Sequence, residues 1–441
     1  MYSKKIIAFL KKNNASVNDF VRIKKGGQIF NGTLLNRPDY LKQETLILKL
    51  ESGYNIGVNL RNVDEIIVVK KAGKIKEKPA KKLKLKKGFI SVLHTGGTIA
   101  SKVDYRTGGV VSRFSPEELI GMFPKLQKYG PINSVFMGNM FSDDMRFEHY
   151  RKMAEFIKKE INNGSRGIII THGTDTLAYS SAALSFILEN VPVPVILAGA
   201  QRSSDRPSSD AEMNLVCAAK FIRNSEFRGV CVCMHDSMND DACAIFQGVN
   251  VKKLHSSRRD AFKQINDDLI AIVEYMDDDI TFFKEYEKKK EAKGKFEVLP
   301  KMEPKVAILK IHTNMFAEQF AFYREKKYKG LIIEGTGLGH CPITRMDSTT
   351  AEHAKIRLEI EALILGGCTV AMCSQTINGR VNMNVYSPGR DLINMGVISA
   401  ETMTSETAFA KLAWLIANYP KNVEELMAKD LRGEIKKRVI K

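Results

Sequence analysis

No apolar run in the 441 residues approaches the roughly 20 needed to cross a bilayer, which argues against a membrane-spanning helix. Near the start, Lys4, Lys5, Lys11 and Lys12 surround only a short apolar patch, and no small-residue cleavage signal follows, so no secretory leader is expected. Both absences predict a cytoplasmic protein. The seven cysteines (Cys217, Cys231, Cys233, Cys243, Cys341, Cys368 and Cys373) form no repeated Cys-x-x-Cys pair. An odd, scattered set of this kind reads as buried thiols in a reducing compartment, with neither a disulfide frame nor a structural metal. His94, His172, His255, His312, His340 and His353 lack ligand spacing and read as structural. No G-x-x-x-x-G-K-[ST] loop is present, so any ATP chemistry must come from another chain. Gly335-Thr336-Gly337-Leu338-Gly339 lacks the spacing of a dinucleotide loop. No period of about 20–50 residues repeats, which excludes a solenoid.

What is present is enough for two or three domains, with a hydrophobic content of 44%. The formal net charge of +18 permits contact with phosphate, but it is unevenly spread. Ten lysines against one acid lie between Lys70 and Lys87, the composition of a solvated linker. A second cluster, Lys284 to Lys295, mixes lysines with Glu285, Glu287 and Glu291 and also reads as a solvated charge run. RNA binding is thus allowed without being established.

Before the first lysine run, Val21-Arg22-Ile23, Gln28-Ile29-Phe30, Thr45 to Leu50, Tyr54 to Val58 and Glu65 to Val69 are β-rich segments separated by Gly- and Asn-containing turns. They predict a small β-barrel accessory domain over 1–72, followed by a basic linker over 73–88. No aromatic stacking array marks it as an RNA reader, so docking to a partner fits at least as well. Beyond the linker, apolar strands alternate with helical stretches: Met145 to Ile161 and Leu177 to Leu188, then the strand Val193 to Leu197, then a helix over Ala211 to Ile222. This predicts a doubly wound parallel sheet over 89–295. A second, smaller α/β domain over 296–441 begins with Val306-Ala307-Ile308-Leu309-Lys310-Ile311 and continues through Gly330 to Glu334 and Cys368 to Met372.

Two Gly/Thr-rich loops each follow a short apolar run: Thr95-Gly96-Gly97-Thr98 and Thr171-His172-Gly173-Thr174-Asp175-Thr176. Both read as turns at the carboxyl ends of buried parallel strands, where open α/β sheets bind ligands. Glycine there lets the backbone approach a substrate, and threonine offers a nucleophile or an oxyanion donor. On the residues alone, Thr95 and Thr98 are equal candidates, because both flank the same two glycines.

These blocks, with Lys253 ahead of His255-Ser256-Ser257-Arg258-Arg259-Asp260-Ala261-Phe262, resemble in order and spacing the bacterial-type L-asparaginase/glutaminase family. The stretch Gly199 to Asp210, and the segment Asp19 to Gly57 ahead of the enzyme, resemble the branch of that family that serves archaeal glutamyl-tRNA(Gln) amidotransferase as its amidase chain. The resemblance implies a two-lobed asparaginase-like α/β fold. It implies Thr98 as the nucleophile on a side-chain amide, with Thr174, Asp175 and Lys253 as a second catalytic group in which the lysine polarises the threonine and the aspartate orients the lysine. A lysine used as a base must sit far below its solution pKa of about 10.4, so partial desolvation is expected at Lys253; apart from the resemblance, Lys253 reads as a surface cation, since Lys252 sits beside it. Tyr105, followed by Gly108-Gly109, takes the place of a flap tyrosine that closes on the substrate. Ser142 resembles the serine that binds the substrate α-carboxylate, and Asp143 with Asp175 could meet its α-ammonium. Asp143 stands where secreted relatives commonly have glutamine.

The function so implied is release of ammonia from glutamine or asparagine through a threonyl ester, with no cofactor in this chain. A tRNA-binding partner subunit would use ATP and Mg to convert Glu-tRNA(Gln) to Gln-tRNA(Gln). By family a homodimer within a heterotetramer is expected. The runner-up is a free-standing cytoplasmic L-asparaginase, and a reading from another class is a catalytically silent RNA-binding adaptor.

Overall fold

The computed structural model describes residues 2–35, 44–50, 55–61, 63–71, 87–97, 99, 101–103, 110–112, 123–203, 209–289 and 294–439, with backbone alone at 55, 101–103 and 110–112. The N-terminal unit opens with a helix, Lys4–Lys12, that sequence reading did not anticipate. Ser3 caps it, its Oγ accepting from the Ile6 amide at 3.3 Å, and the helix buries Ile6 and Leu10. Five antiparallel strands follow in the order Asn55–Asn59, Thr45–Leu50, Gln28–Leu35, Phe20–Lys25, Val63–Lys70. The two edge strands are joined by only residues 60–62. A flat five-stranded sheet would hold its edges roughly 19 Å apart, more than so short a connection spans. The sheet must therefore curl into a barrel-like shape, and Lys25 Nζ reaches across it to the Asn59 carbonyl at 3.0 Å. Val21, Ile23, Leu34, Leu46, Leu48 and Ile66 fill the inside together with the helix.

The large sheet of the next unit has the order Ile280–Phe282, Ala271–Glu274, Ala242–Gln247, Gly229–His235, Pro194–Ala198, Gly167–Thr171, Ile90–Gly96, Ile132–Met140. The strands from Gly229–His235 to Ile132–Met140 are parallel, as expected. The remaining three are antiparallel, which the parallel reading did not include. The reason is chain length: Asp236 to Asp241 is too short for a crossover, which needs a dozen residues or so. Strands Gly167–Thr171 and Pro194–Ala198 are buried along their whole length, so alternate residues feed two cores. Ile168 and Ile170 pack with helices Phe147–Asn162 and Leu177–Ile187, while Ile169 faces helix Ala211–Asn224.

The C-terminal sheet is parallel and sequential: Val306–Lys310, Gly330–Gly335, Thr369–Ser374, Ile398–Ser399. Helices Glu318–Glu325 and Ala351–Leu365 cover one face through Phe320, Ile356 and Ile360. The other face is covered by Ser405–Asn418, which also packs on the large unit: the Trp414 ring stacks on Phe186 with centroids 5.7 Å apart. One helix thus packs in a core shared by both lobes. No helix among the described residues is long and apolar enough to cross a membrane.

Candidate active site

Strands Ile90–Gly96 and Gly167–Thr171 are adjacent and parallel, with His94 opposite Thr171, so both Gly/Thr loops leave the same sheet edge side by side. Their contact is backbone to backbone. Gly97 has φ +78°, and a Cβ placed on it would lie 2.5 Å from the Gly173 amide nitrogen. A Cβ on Gly173 would in turn lie 2.8 Å from Ser142 Oγ. Each glycine is required because the next chain occupies the place of its side chain. The Thr176 hydroxyl donates to the Ser142 carbonyl at 2.7 Å and pins that turn to the second loop.

Thr95 is buried, and its hydroxyl donates to the Thr171 carbonyl at 2.8 Å. That role ties one strand end to the next and commits the Thr95 proton. Thr98 and Tyr105 lie outside the described residues. The strands flanking Tyr105, Ser101–Val103 and Val110–Ser112, form an antiparallel ladder directly after the first loop.

Thr174, Lys253 and Asp175 come together. Lys253 Nζ donates to Thr174 Oγ1 at 2.8 Å and to Asp175 Oδ1 at 2.7 Å. The Lys253 side chain is 13% exposed, whereas Asp175 is 64% exposed and open to solvent. Lys253 is held by the hairpin Val251–Lys253 with Phe262–Gln264, in which it lies opposite the buried Phe262. These two residues stand nine positions apart in sequence, the spacing on which the family resemblance rests. The ammonium of the neighbouring Lys252 binds Glu406 Oε1 at 2.5 Å, in the first turn of helix Ser405–Asn418. Ser142 is buried and Asp143 exposed on the short turn Ser142–Asp144.

His172 is fully buried, with Nδ1 2.6 Å from the Gly173 carbonyl and Nε2 2.8 Å from the Ser180 hydroxyl. A neutral ring that donates from Nδ1 and accepts at Nε2 satisfies both contacts. Burial lowers its pKa to about 4, and burial does the same at His94, which lies between Ser134 and Thr171. Neither is a proton shuttle near neutrality.

Asp210 carries a role that its sequence position does not announce. Fully buried, its carboxylate accepts the amides of Gln201 at 2.9 Å and Arg202 at 3.0 Å, fixing the loop that starts at Gly199. A Cβ on Gly199 would lie 2.8 Å from Thr174 Cγ2, so this loop is a wall of the site. Asn214 extends the support, donating to the Gly199 carbonyl at 3.0 Å and meeting His235 Nδ1 through its Oδ1 at 2.7 Å. The available signal was an acid just ahead of helix Ala211–Asn224. Among the described residues no group of three or more potential ligands is placed to hold a metal.

Two Gly/Thr loops at a parallel sheet edge, backed by a Thr–Lys–Asp set and a second α/β lobe, define an asparaginase-type α/β protein. Family models agree: "Asparaginase, N-terminal" matches residues 89–288 and "Glutaminase/Asparaginase C-terminal domain" residues 305–427. A third, "GatD N-terminal domain", matches residues 15–69. The GatD chain of glutamyl-tRNA(Gln) amidotransferase from Pyrococcus abyssi is 42% identical over 441 residues, covering 97% of this chain and 96% of that protein. Its counterpart from Methanococcus maripaludis (strain DSM 14266) is 42% identical over 426 residues, with coverages of 95% and 98%. The thermostable L-asparaginase from Thermococcus kodakarensis matches in structure with a TM-score of 0.70 at 28% identity, covering 79% of this chain and 99% of that one. The chain belongs to the GatD family of glutamyl-tRNA(Gln) amidotransferase chains.

Proposed function

We propose that this chain is the ammonia-releasing subunit of a tRNA-dependent amidotransferase, taking the side-chain amide of glutamine or asparagine. The observation that carries the reading is Lys253, bonded at once to Thr174 and Asp175 beside the paired glycine loops. In the proposed reaction the Thr98 oxygen attacks the amide carbon, helped by Tyr105. The C–N bond then breaks and ammonia leaves, with a threonyl ester remaining on Thr98. Water attacks that ester, with Lys253 polarising Thr174 as the group that handles the proton and Asp175 orienting the lysine. Ser142, Asp143 and Asp175 would hold the substrate's α-carboxylate and α-ammonium. The chain needs no cofactor for these steps. ATP and Mg would serve a tRNA-binding partner subunit in the cytoplasm, with two copies of each chain in the assembly.

The division we propose is 1–72 for assembly, 73–88 as linker, and 89–295 with 296–441 for amide chemistry. Support for assembly over a free-standing asparaginase comes from the N-terminal match and from the fifth of this chain, about 90 residues, that the solved asparaginase does not cover. The test is Thr98→Ala against Thr95→Ala. Thr98→Ala should reduce ammonia release by roughly 10⁴-fold or more, as loss of a nucleophile does, with the fold intact. Thr95→Ala should keep measurable turnover and lower stability by about 1–2 kcal/mol, because the Thr171 carbonyl loses a buried donor. Mass spectrometry of the adduct with an asparagine analogue should place it on Thr98; an adduct on Thr95 would reverse the assignment.

A further inference from the structure

A cavity of about 440 Å³ opens on the opposite edge of the large sheet from the Thr174–Lys253 site. Its floor is the start of strand Gly229–His235, which runs parallel to the strands that deliver the two loops. The cavity is therefore about one strand length, roughly 16 Å, from the amide chemistry. Its walls come from three separate places: the end of helix Leu177–Ile187, the segment Lys284 to Glu287, and the C-terminal segment Asp430 to Lys436. The Lys284 end of that charge run is packed, contrary to the solvated reading. Lys284 donates to Gln247 Oε1 at 2.7 Å and pairs with Asp267, and Arg228 donates its amide to the Glu287 carbonyl at 3.0 Å.

Among the cations of the wall, the others are occupied. Arg432 is held by the Ser185 and Leu431 carbonyls and by Glu189, and Lys436 pairs with Asp267 at 2.9 Å. Arg228 differs. Its side chain is 7% exposed, and one nitrogen, Nη2, reaches the exposed Glu287 carboxylate at 2.7 Å. Nε and Nη1 are buried with no partner. A guanidinium is always charged and strongly prefers its donors filled, so two covered but unfilled N–H groups on a residue that lines the cavity are half of an anion contact, which a small turn of the side chain would bring to the cavity. Phe227, Val191, Val230 and Val249 supply the apolar part of the lining, and Glu285, Glu287 and Asp430 supply carboxylates. A volume of this size, a lining that is about half apolar and a few fixed polar groups suit a small molecule with one polar and one apolar end.

We propose that this cavity binds a small molecule with an oxyanion, carboxylate or phosphate, on an apolar body. The oxyanion would sit on Arg228 Nε and Nη1 and the body against Phe227 and Val249. The site is separate from the amide site and does not depend on the reading of that reaction.

The test uses the full chain, with benzoate and phenyl phosphate as probes and sodium chloride at matched ionic strength as control. Calorimetric titration should give saturable binding of at least one organic anion, and that anion should raise the unfolding temperature by a few degrees where chloride does not. Benzoate acting alone identifies a carboxylate, phenyl phosphate alone a phosphate, and both together the shared oxyanion chemistry. Arg228→Met should fold as well as the parent, because it removes unpaired buried donors, and should weaken binding at least tenfold. Arg228→Lys, which keeps the charge, should also weaken it, and serves if the methionine variant does not fold. No saturable heat from either organic anion would mean that water alone fills the cavity. That result, or unchanged affinity in both variants, overturns the proposal.

Discussion

Lys253 spends two hydrogen bonds on Thr174 and Asp175 from a side chain that is mostly covered, so the position demands a compact ammonium with rotatable donors. Arginine would bring a rigid planar fork that effectively cannot lose a proton. Lys253→Arg is therefore expected to lower kcat for ammonia release by about 10²–10⁴-fold, the range for loss of a general base, with little change in KM. A variant with near-parental kcat would leave the lysine only an electrostatic role. Lys253 was singled out by its spacing to Phe262, as the family resemblance has it, and the hairpin sets those two residues opposite each other. The partner of Lys252 was not legible, since Glu406 is more than 150 residues away in sequence. Lys220 was hidden for the same reason: it stands in an apolar helix run, fully buried, with its ammonium on the carbonyls of Glu274, Tyr275 and Asp277.

Among the elements, the buried parallel strands were the easiest to read, because continuous apolar runs such as Ile168 to Ile170 need two covered faces. The helix Lys4–Lys12 was missed because its charged residues outnumber the buried pair Ile6 and Leu10, which show their worth only once the curled sheet is present. The strand ends carry a pH dependence. His94 and His172 have folded pKa values lowered by burial to about 4, against 6.5 when unfolded. Above pH 6.5 both states hold the rings neutral and stability is complete; as pH falls toward 4, only the unfolded chain takes up the protons. Each ring should remove roughly 2 kcal/mol of stability by about pH 5. Urea unfolding followed by circular dichroism should show the midpoint dropping across that window. A midpoint that stays level there would mean the two rings already bind protons in the folded protein.

For the whole molecule, the two α/β lobes share one core because helix Ser405–Asn418 packs in it with residues of both large and C-terminal sheets, and the C-terminal segment is locked by the buried pair Lys411–Glu434 at 2.7 Å. The N-terminal unit has a core of its own, made of the capped helix and the curled sheet. A chain beginning at Lys86 should therefore fold, since it keeps both lobes and loses only a core that closes on itself. Free ammonia release should survive the truncation nearly unchanged. The tRNA-coupled reaction, measured with the partner subunit added, should fall at least tenfold if the N-terminal unit serves assembly. The two assays separate the possibilities: equal loss of both activities in a truncated chain with native circular dichroism would mean that the N-terminal unit shapes the amide site directly. Equal retention of both would mean that docking of the partner rests on the lobes, and either result would remove the assembly role proposed for residues 1–72.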